Sequence, residues 1–120
     1  GLAAAKVFIG EQLKKALKNL TPDLAVQEFL NAYEPIWAIS SVPGSRSDTP
    51  ESASDIIAFI KKSAGARLKK LKVLYGGSVN AKNAGGFLDR PEIDGALVGG
   101  ASLRANEFAE IIRCSLDKHL

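Results

Sequence analysis

Three short segments of this 120-residue chain carry residue types that could do chemistry together. Tyr33-Glu34-Pro35-Ile36-Trp37-Ala38-Ile39 puts a carboxylate at the end of a β-prone lead-in. Tyr75-Gly76-Gly77-Ser78-Val79 and Leu97-Val98-Gly99-Gly100-Ala101-Ser102 each end a similar lead-in on a glycine pair. A carboxylate can take a proton from carbon if it is positioned and shielded from water, which raises its pKa. Paired glycines let backbone N–H groups approach an anion with no Cβ in the way. One proton-transfer group and two anion-cradling turns at successive strand ends therefore point to a site. Taken singly, each has a plainer reading. A strand-end Glu commonly faces water or pairs with a lysine, and Gly-Gly commonly just turns the chain.

The elements around these segments must bring them together. Residues 3–20 read as an amphipathic helix, with Ile9, Leu13, Ala16, Leu17 and Leu20 recurring at helical spacing. Thr21-Pro22-Asp23 ends it, because proline cannot continue the hydrogen-bond ladder. Residues 24–34 admit two readings. Thr21 and Pro22 can open a second helix through Leu24, Val26, Phe29 and Leu30, or residues 28–34 can form a strand. Residues 40–49 read as a Ser-rich loop with Pro43 and Gly44. Thr49-Pro50-Glu51 predicts a helix start, with Thr49 as N-cap and Pro50 first inside. Ala53, Ile56, Ile57, Ile60 and Ala64 form its buried face. Residues 71–75 predict a strand broken by Gly76-Gly77. Asn80 is expected to cap a shorter helix to about Leu88, frayed because Gly85 and Gly86 each cost ~1 kcal/mol relative to Ala. Asp94-Gly95 predicts a turn before a strand over residues 96–98. A last helix over residues 105–116 should turn Phe108, Ile111, Ile112 and Leu116 inward. This alternation predicts an α/β fold of parallel βα units, in one domain over residues 1–120.

Composition narrows the class. A hydrophobic content of 46% and a charged content of 24% fit a soluble globular protein. No apolar run approaches the ~20 residues needed to span a bilayer. The start, Gly-Leu-Ala-Ala-Ala-Lys, lacks the basic region of a signal peptide. The single Cys114 excludes an internal disulfide and fits a reducing, cytoplasmic setting. With His119 the one histidine, no zinc site can be built from Cys or His. Lys61, Lys62, Arg67, Lys69, Lys70 and Lys72 cluster around one connection. No aromatic residues interleave them, so they read as solvated cations near a helix C-terminus, not as a nucleic-acid surface. Met is absent even at position 1, which suggests processing, engineering or a chain cut from something longer.

In order and spacing, the three segments closely resemble triosephosphate isomerase, from about Glu11 to Cys114. The resemblance covers the C-terminal part of that family. It implies a partial (βα)8 barrel of about three parallel strands and four helices, and it makes residues 28–34 a strand. Asn31 stands where the family usually has an apolar residue. The implied reaction interconverts dihydroxyacetone phosphate and glyceraldehyde 3-phosphate, with neither metal nor organic cofactor. That enzyme is the usual illustration of a glutamate base, a neutral histidine electrophile and a closing loop. By resemblance, Glu34 takes the place of the glutamate. Ser40, Gly77, Ser78, Gly99 and Gly100 fall on the cradle for the substrate phosphate, and Pro35, Ile36, Trp37, Ala38 and Ile39 open the lid.

The chain also departs from the family. Ser40-Ser41-Val42 replaces the lid's Gly-Thr-Gly, and the stretch before Thr49-Pro50 is longer. The family's Asn-Lys pair and electrophilic His have no counterpart, and His119 does not match the latter by motif. Because eight strands close such a barrel, this half should self-associate or pair with a complementary N-terminal half to cover its apolar inner face. The expected ligands are a triose phosphate or inorganic phosphate or sulfate, with no nucleic acid and no membrane. Two other readings stay open: a phosphate-binding relic without catalysis, and an engineered or structural half-barrel that mainly self-associates.

Overall fold

The computed structural model describes residues 1–20, 29–39, 41–68 and 70–117. Its elements run α1 (Leu2–Leu17), β1 (Phe29–Tyr33), a 3-10 turn (Ile36–Ala38), α2 (Pro50–Ala64) and a second 3-10 turn (Gly65–Leu68). β2 (Leu71–Tyr75), α3 (Ala84–Leu88), β3 (Gly95–Ala96), a third 3-10 turn (Gly100–Leu103) and α4 (Ala105–Asp117) follow. The strands form one parallel sheet in the order β1-β2-β3. Phe29 and Leu30 belong to β1, which decides for the strand over the rival helix at those positions. The predicted helix stop at Thr21-Pro22-Asp23 and the start of the 24–34 segment lie outside the described residues.

Local chemistry explains why α2 forms where it does. The Thr49 hydroxyl accepts from the Ser52 amide at 3.1 Å, and Pro50 occupies the first turn, where its missing N–H costs nothing. Glu51 in the first turn and Lys61 and Lys62 in the last complement the helix dipole. Gly65 ends it at φ +66, a conformation that residues with a Cβ rarely adopt. The predicted stripe of Ala53, Ile56, Ile57, Ile60 and Ala64 is buried throughout. It packs on one face of the sheet, where Tyr33 from β1 and Val73 and Tyr75 from β2 point inward. Each fully buried isoleucine contributes about 2 kcal/mol of hydrophobic stabilisation. The Tyr75 ring stacks on Phe87 of α3, with centroids 4.1 Å apart.

The other face of the sheet is open. Strand alternation and register place Leu30 and Ala32 beside Lys72 and Leu74 there. Leu30 is 70% exposed and Leu97, beyond β3, is 47% exposed. Three strands leave this sheet unclosed, with one inward face bare and no further strand among the described residues.

Three elements differ from expectation. α3 begins at Ala84, not near Asn80, because Asn80 builds a separate turn. Its Oδ1 accepts from the Lys82 and Asn83 amides, and its own amide donates to Asn83 Oδ1 at 2.8 Å. β3 is two residues long and starts at Gly95 instead of 96. Asp94 takes over the neighbouring ladder position, where its carboxylate accepts from the Val73 amide and pairs with Lys61, both at 2.7 Å. That ion pair also gives one member of the basic cluster a structural role, while Lys69 lies outside the described residues. In α4 only Ile111 is buried, whereas Phe108, Ile112 and Leu116 are exposed. The helix packs against α3 and the third 3-10 turn, a surface too narrow to cover its whole apolar face. No helix among the described residues is long and apolar enough to cross a membrane.

Candidate functional site

Parallel strands align their C-terminal ends, so the residues that follow them gather on one rim. Glu34 follows β1, Gly76-Gly77-Ser78 follow β2, and Gly99-Gly100 follow β3 and enter the third 3-10 turn. They line one cleft of roughly 590 Å³, together with Ile39, Ser41, Asn80, Leu97 and Arg104. That volume falls within the range of small-molecule pockets. The rim is stitched by Gly76 N–H donating to Tyr33 O at 2.8 Å and Leu97 N–H to Tyr75 O at 2.9 Å.

The glycines make room for different things. A Cβ on Gly76 would sit 2.5 Å from Glu34 Cγ, so the bare Gly76 backbone is the shelf on which the Glu34 side chain lies. A Cβ on Gly77 would overlap the Tyr75 phenol oxygen, so this glycine accommodates a buried ring. Around Gly99 and Gly100 nothing lies within 4 Å of the corresponding position, so their space belongs to the cleft. The loop carrying Ser78 is held from behind, where Asn83 Nδ2 donates to Ser78 O at 2.9 Å. Ser102 holds the second glycine pair, its hydroxyl donating to Gly99 O at 2.6 Å.

Of the residues that follow Glu34, Ile39 and Ser41 line the cleft. Pro35 and Ala38 are buried, Ile36 is largely exposed, Trp37 is partly exposed, and Ile39 reaches the cleft. Arg46 N–H donates to Trp37 O at 2.7 Å, which holds these two positions together. Ser40 lies outside the described residues. Of the predicted site residues, the structure thus gathers Glu34, Ile39, Gly77, Ser78, Gly99 and Gly100 on one cleft. Pro35, Ile36 and Trp37 instead line a separate pocket against α1, and Ala38 is buried.

Arg104 is the cleft residue that sequence reasoning missed. Its Nε donates to Glu107 Oε2 at 2.6 Å, and this hydrogen bond holds the Glu107 carboxyl below its ordinary range, partly against desolvation. The available signal was a lone cation four residues after a glycine pair, which is too common to stand out. Asn80 was read as a helix cap, while Asn83, which supports Ser78, was not singled out. No cluster of potential metal ligands occurs among the described residues.

Comparison with known proteins bears on the same region. The sequence family described as Triosephosphate isomerase matches residues 3–115. The triosephosphate isomerase of Nocardia farcinica is 45% identical over 103 residues, covering 84% of this chain and 39% of that protein. The one from Yarrowia lipolytica is 40% identical over 112 residues, covering 89% and 45%. The one from Legionella pneumophila is 47% identical over 87 residues, covering 69% and 34%. The chain spans less than half the length of each of these relatives.

Proposed function

This chain belongs to the triosephosphate isomerase family, and from that premise we propose that it is the C-terminal half-barrel of such an enzyme. Residues 1–120 act as one domain. Closed by a complementary N-terminal half, it interconverts dihydroxyacetone phosphate and glyceraldehyde 3-phosphate. The observation that carries this reading is the convergence of Glu34 with both glycine pairs on one cleft.

In this mechanism the Glu34 carboxylate removes a proton from the carbon beside the substrate carbonyl and returns it to the adjacent carbon. The backbone N–H groups of Ser78, Gly99 and Gly100, at the glycine turns around Gly77, hold the substrate phosphate, with Ser40 adding one from the loop. Residues 35–39 begin the lid that excludes water. The reaction needs neither metal nor organic cofactor. The other half supplies the electrophilic side, each donor of which is worth about 10²–10³ in rate. The isolated chain is accordingly inactive or very slow. A cytoplasmic location belongs to the same reading, in keeping with the lone Cys114.

Titrating isotope-labelled chain with inorganic phosphate tests the cradle. Amide resonances of Ser78, Gly99 and Gly100 should shift together and saturate. If they stay fixed while the protein remains folded, the cradle is not one, and a structural half-barrel remains. If they shift but no partner restores turnover, the chain is a phosphate-binding relic. The second reading draws on the open space at Gly99 and Gly100, which persists whatever the lid does.

The exposed apolar residues Leu30 and Leu97 on the inner face, with Phe108 and Ile112 on α4, call for a cover. Purified alone, the chain should run as a homo-oligomer in light scattering and become a defined heterodimer when the complementary half is added. A monodisperse monomer that binds no apolar dye would contradict this.

A further inference from the structure

Glu107 is the third residue of α4, where a glutamate ordinarily reaches back to the backbone amide just ahead of its own helix. It does not do so here. That amide, of Arg104, donates instead to Ala101 O at 3.3 Å. The Glu107 carboxylate divides between two other groups. Its Oε2 accepts from Arg104 Nε at 2.6 Å and lies 2.5 Å from Nη2, so one oxygen takes a whole edge of the guanidinium. Its Oε1 accepts from the Ala81 amide at 3.4 Å, a contact across 26 residues. The Glu107 side chain is 22% exposed, and Arg104 supplies the charge that bears on it.

These two donors belong to the two glycine turns. Ala81 lies in the turn built by Asn80, where Asn83 holds Ser78 O, so its amide is anchored to the loop that follows Gly76 and Gly77. Arg104 closes the 3-10 turn that Gly99 and Gly100 enter, and it lines the cleft. The sheet holds this second turn by little. β3 is two residues long, and beyond it the Leu97 amide adds one bond to Tyr75 O. Glu107 joins the turns again, past the ends of the strands. A carboxylate bonded through both oxygens sets the separation of its donors. Among the described residues that line the cleft, Arg104 is also the one cation.

We propose that Glu107 is a positioning residue that braces the two glycine turns against each other and holds the Arg104 guanidinium at the cleft. The brace stands on its own contacts. Its consequence for an anion rests on the phosphate reading above. Glu107 then sets the spacing of the Ser78 amide from those of Gly99 and Gly100, and Arg104 offsets the Glu34 carboxylate that shares the cleft. With the brace intact the N–H groups meet a phosphate already spaced for it, so little ordering is left to binding. Removing it leaves each turn on its own loop but frees their separation.

An NMR pH titration of the labelled chain, without phosphate, tests the brace. In the parent, the Glu107 carboxyl carbon, the Ala81 amide and the Arg104 Nε–H should share one midpoint. It should fall below the ordinary range for Glu, chiefly because Arg104 donates to the carboxylate. Glu107→Gln should abolish that step at Ala81 and Arg104 alike. A glutamate that served only its own helix would titrate without Ala81 following. In a phosphate titration, Glu107→Ala should weaken binding about tenfold at Ser78, Gly99 and Gly100 together, the effect of losing a charge-assisted hydrogen bond. Glu107→Gln keeps an acceptor for the Ala81 amide and should recover most of that loss. If the alanine variant does not fold, the step lost in Glu107→Gln decides. An Ala81 amide that ignores the Glu107 titration would overturn the brace, as would equal phosphate affinity in parent and Glu107→Ala. A shared midpoint in a chain whose amides ignore phosphate would uphold the brace and end the cradle reading instead.

Discussion

Replacing Glu34 with Gln should lower isomerase turnover about 10²- to 10⁴-fold in the assembly of this chain with its complementary half, the range for losing a general base. Gln keeps the length and planar head of Glu and fits the same shelf over Gly76, so the cleft keeps its shape. What it loses is the basic carboxylate that takes the proton. The effect should fall on kcat with little change in KM, because Glu34 works on the carbon skeleton while the cradle at Ser78, Gly99 and Gly100 holds the phosphate. Phosphate-induced amide shifts should therefore be the same in parent and variant. A coupled isomerase assay at high protein concentration reads the loss. The variant also controls for trace host enzyme, which would give equal rates in both samples. Equal turnover in parent and Glu34→Gln assemblies would remove Glu34 from the mechanism and with it the enzyme reading.

A second copy of the chain is a poor substitute for the missing half. It brings another Glu34 and another pair of glycine turns, but no electrophile. Self-association can bury Leu30 and Leu97, and so stabilise the fold, without completing a site. Assembly and activity are thus separate measurements on this chain. An oligomer with no turnover agrees with the half-barrel reading, and turnover on adding the complementary half agrees with the enzyme reading.

How much was legible in the sequence depended on whether the signal was local. Thr49-Pro50 and the α2 stripe announce a helix by cap chemistry and spacing alone, and the structure follows them residue for residue. Leu71–Tyr75 is equally plain, because Gly76 and Gly77 bound it. The inward face of α4 was misread because periodicity says which residues share a face, not whether a neighbour covers it. Phe108, Ile112 and Leu116 share a face that α3 does not reach. β3 was misplaced because Asp94 spends its carboxylate on the Val73 amide, a contact across 21 residues that no local pattern records. At the site, the glycine pairs and Glu34 stood out by type and spacing. Arg104 did not, since its place comes only from what the fold brings beside it, a cleft that it lines with both glycine turns.

The glycines of the two turns should separate sharply when each is changed to alanine. Gly77→Ala should destabilise the chain by about 3 kcal/mol, the upper part of the range for overpacking a closed core. The new Cβ would overlap the Tyr75 oxygen and lie 2.5 Å from its Cζ. Tyr75 cannot retreat, because it is fully buried and stacked on Phe87. For a domain with ~5–15 kcal/mol in total, that loss is a large fraction. Adding Tyr75→Phe removes the overlapping oxygen but leaves the ring carbons, so the double variant should recover part of the loss. The two sites should couple by about 1 kcal/mol in a double-mutant cycle. Gly99→Ala and Gly100→Ala should leave stability within ~0.5 kcal/mol, because their methyl groups enter empty space. Those methyls stand in the cleft, so each should weaken phosphate-induced shifts at the neighbouring amides. Urea unfolding and the phosphate titration, run on the same variants, read both effects. Similar destabilisation at Gly77 and Gly99 would mean that both turns serve only the fold. Stability loss confined to Gly77, with binding loss at Gly99 and Gly100, would assign one turn to the buried ring and the other to the anion.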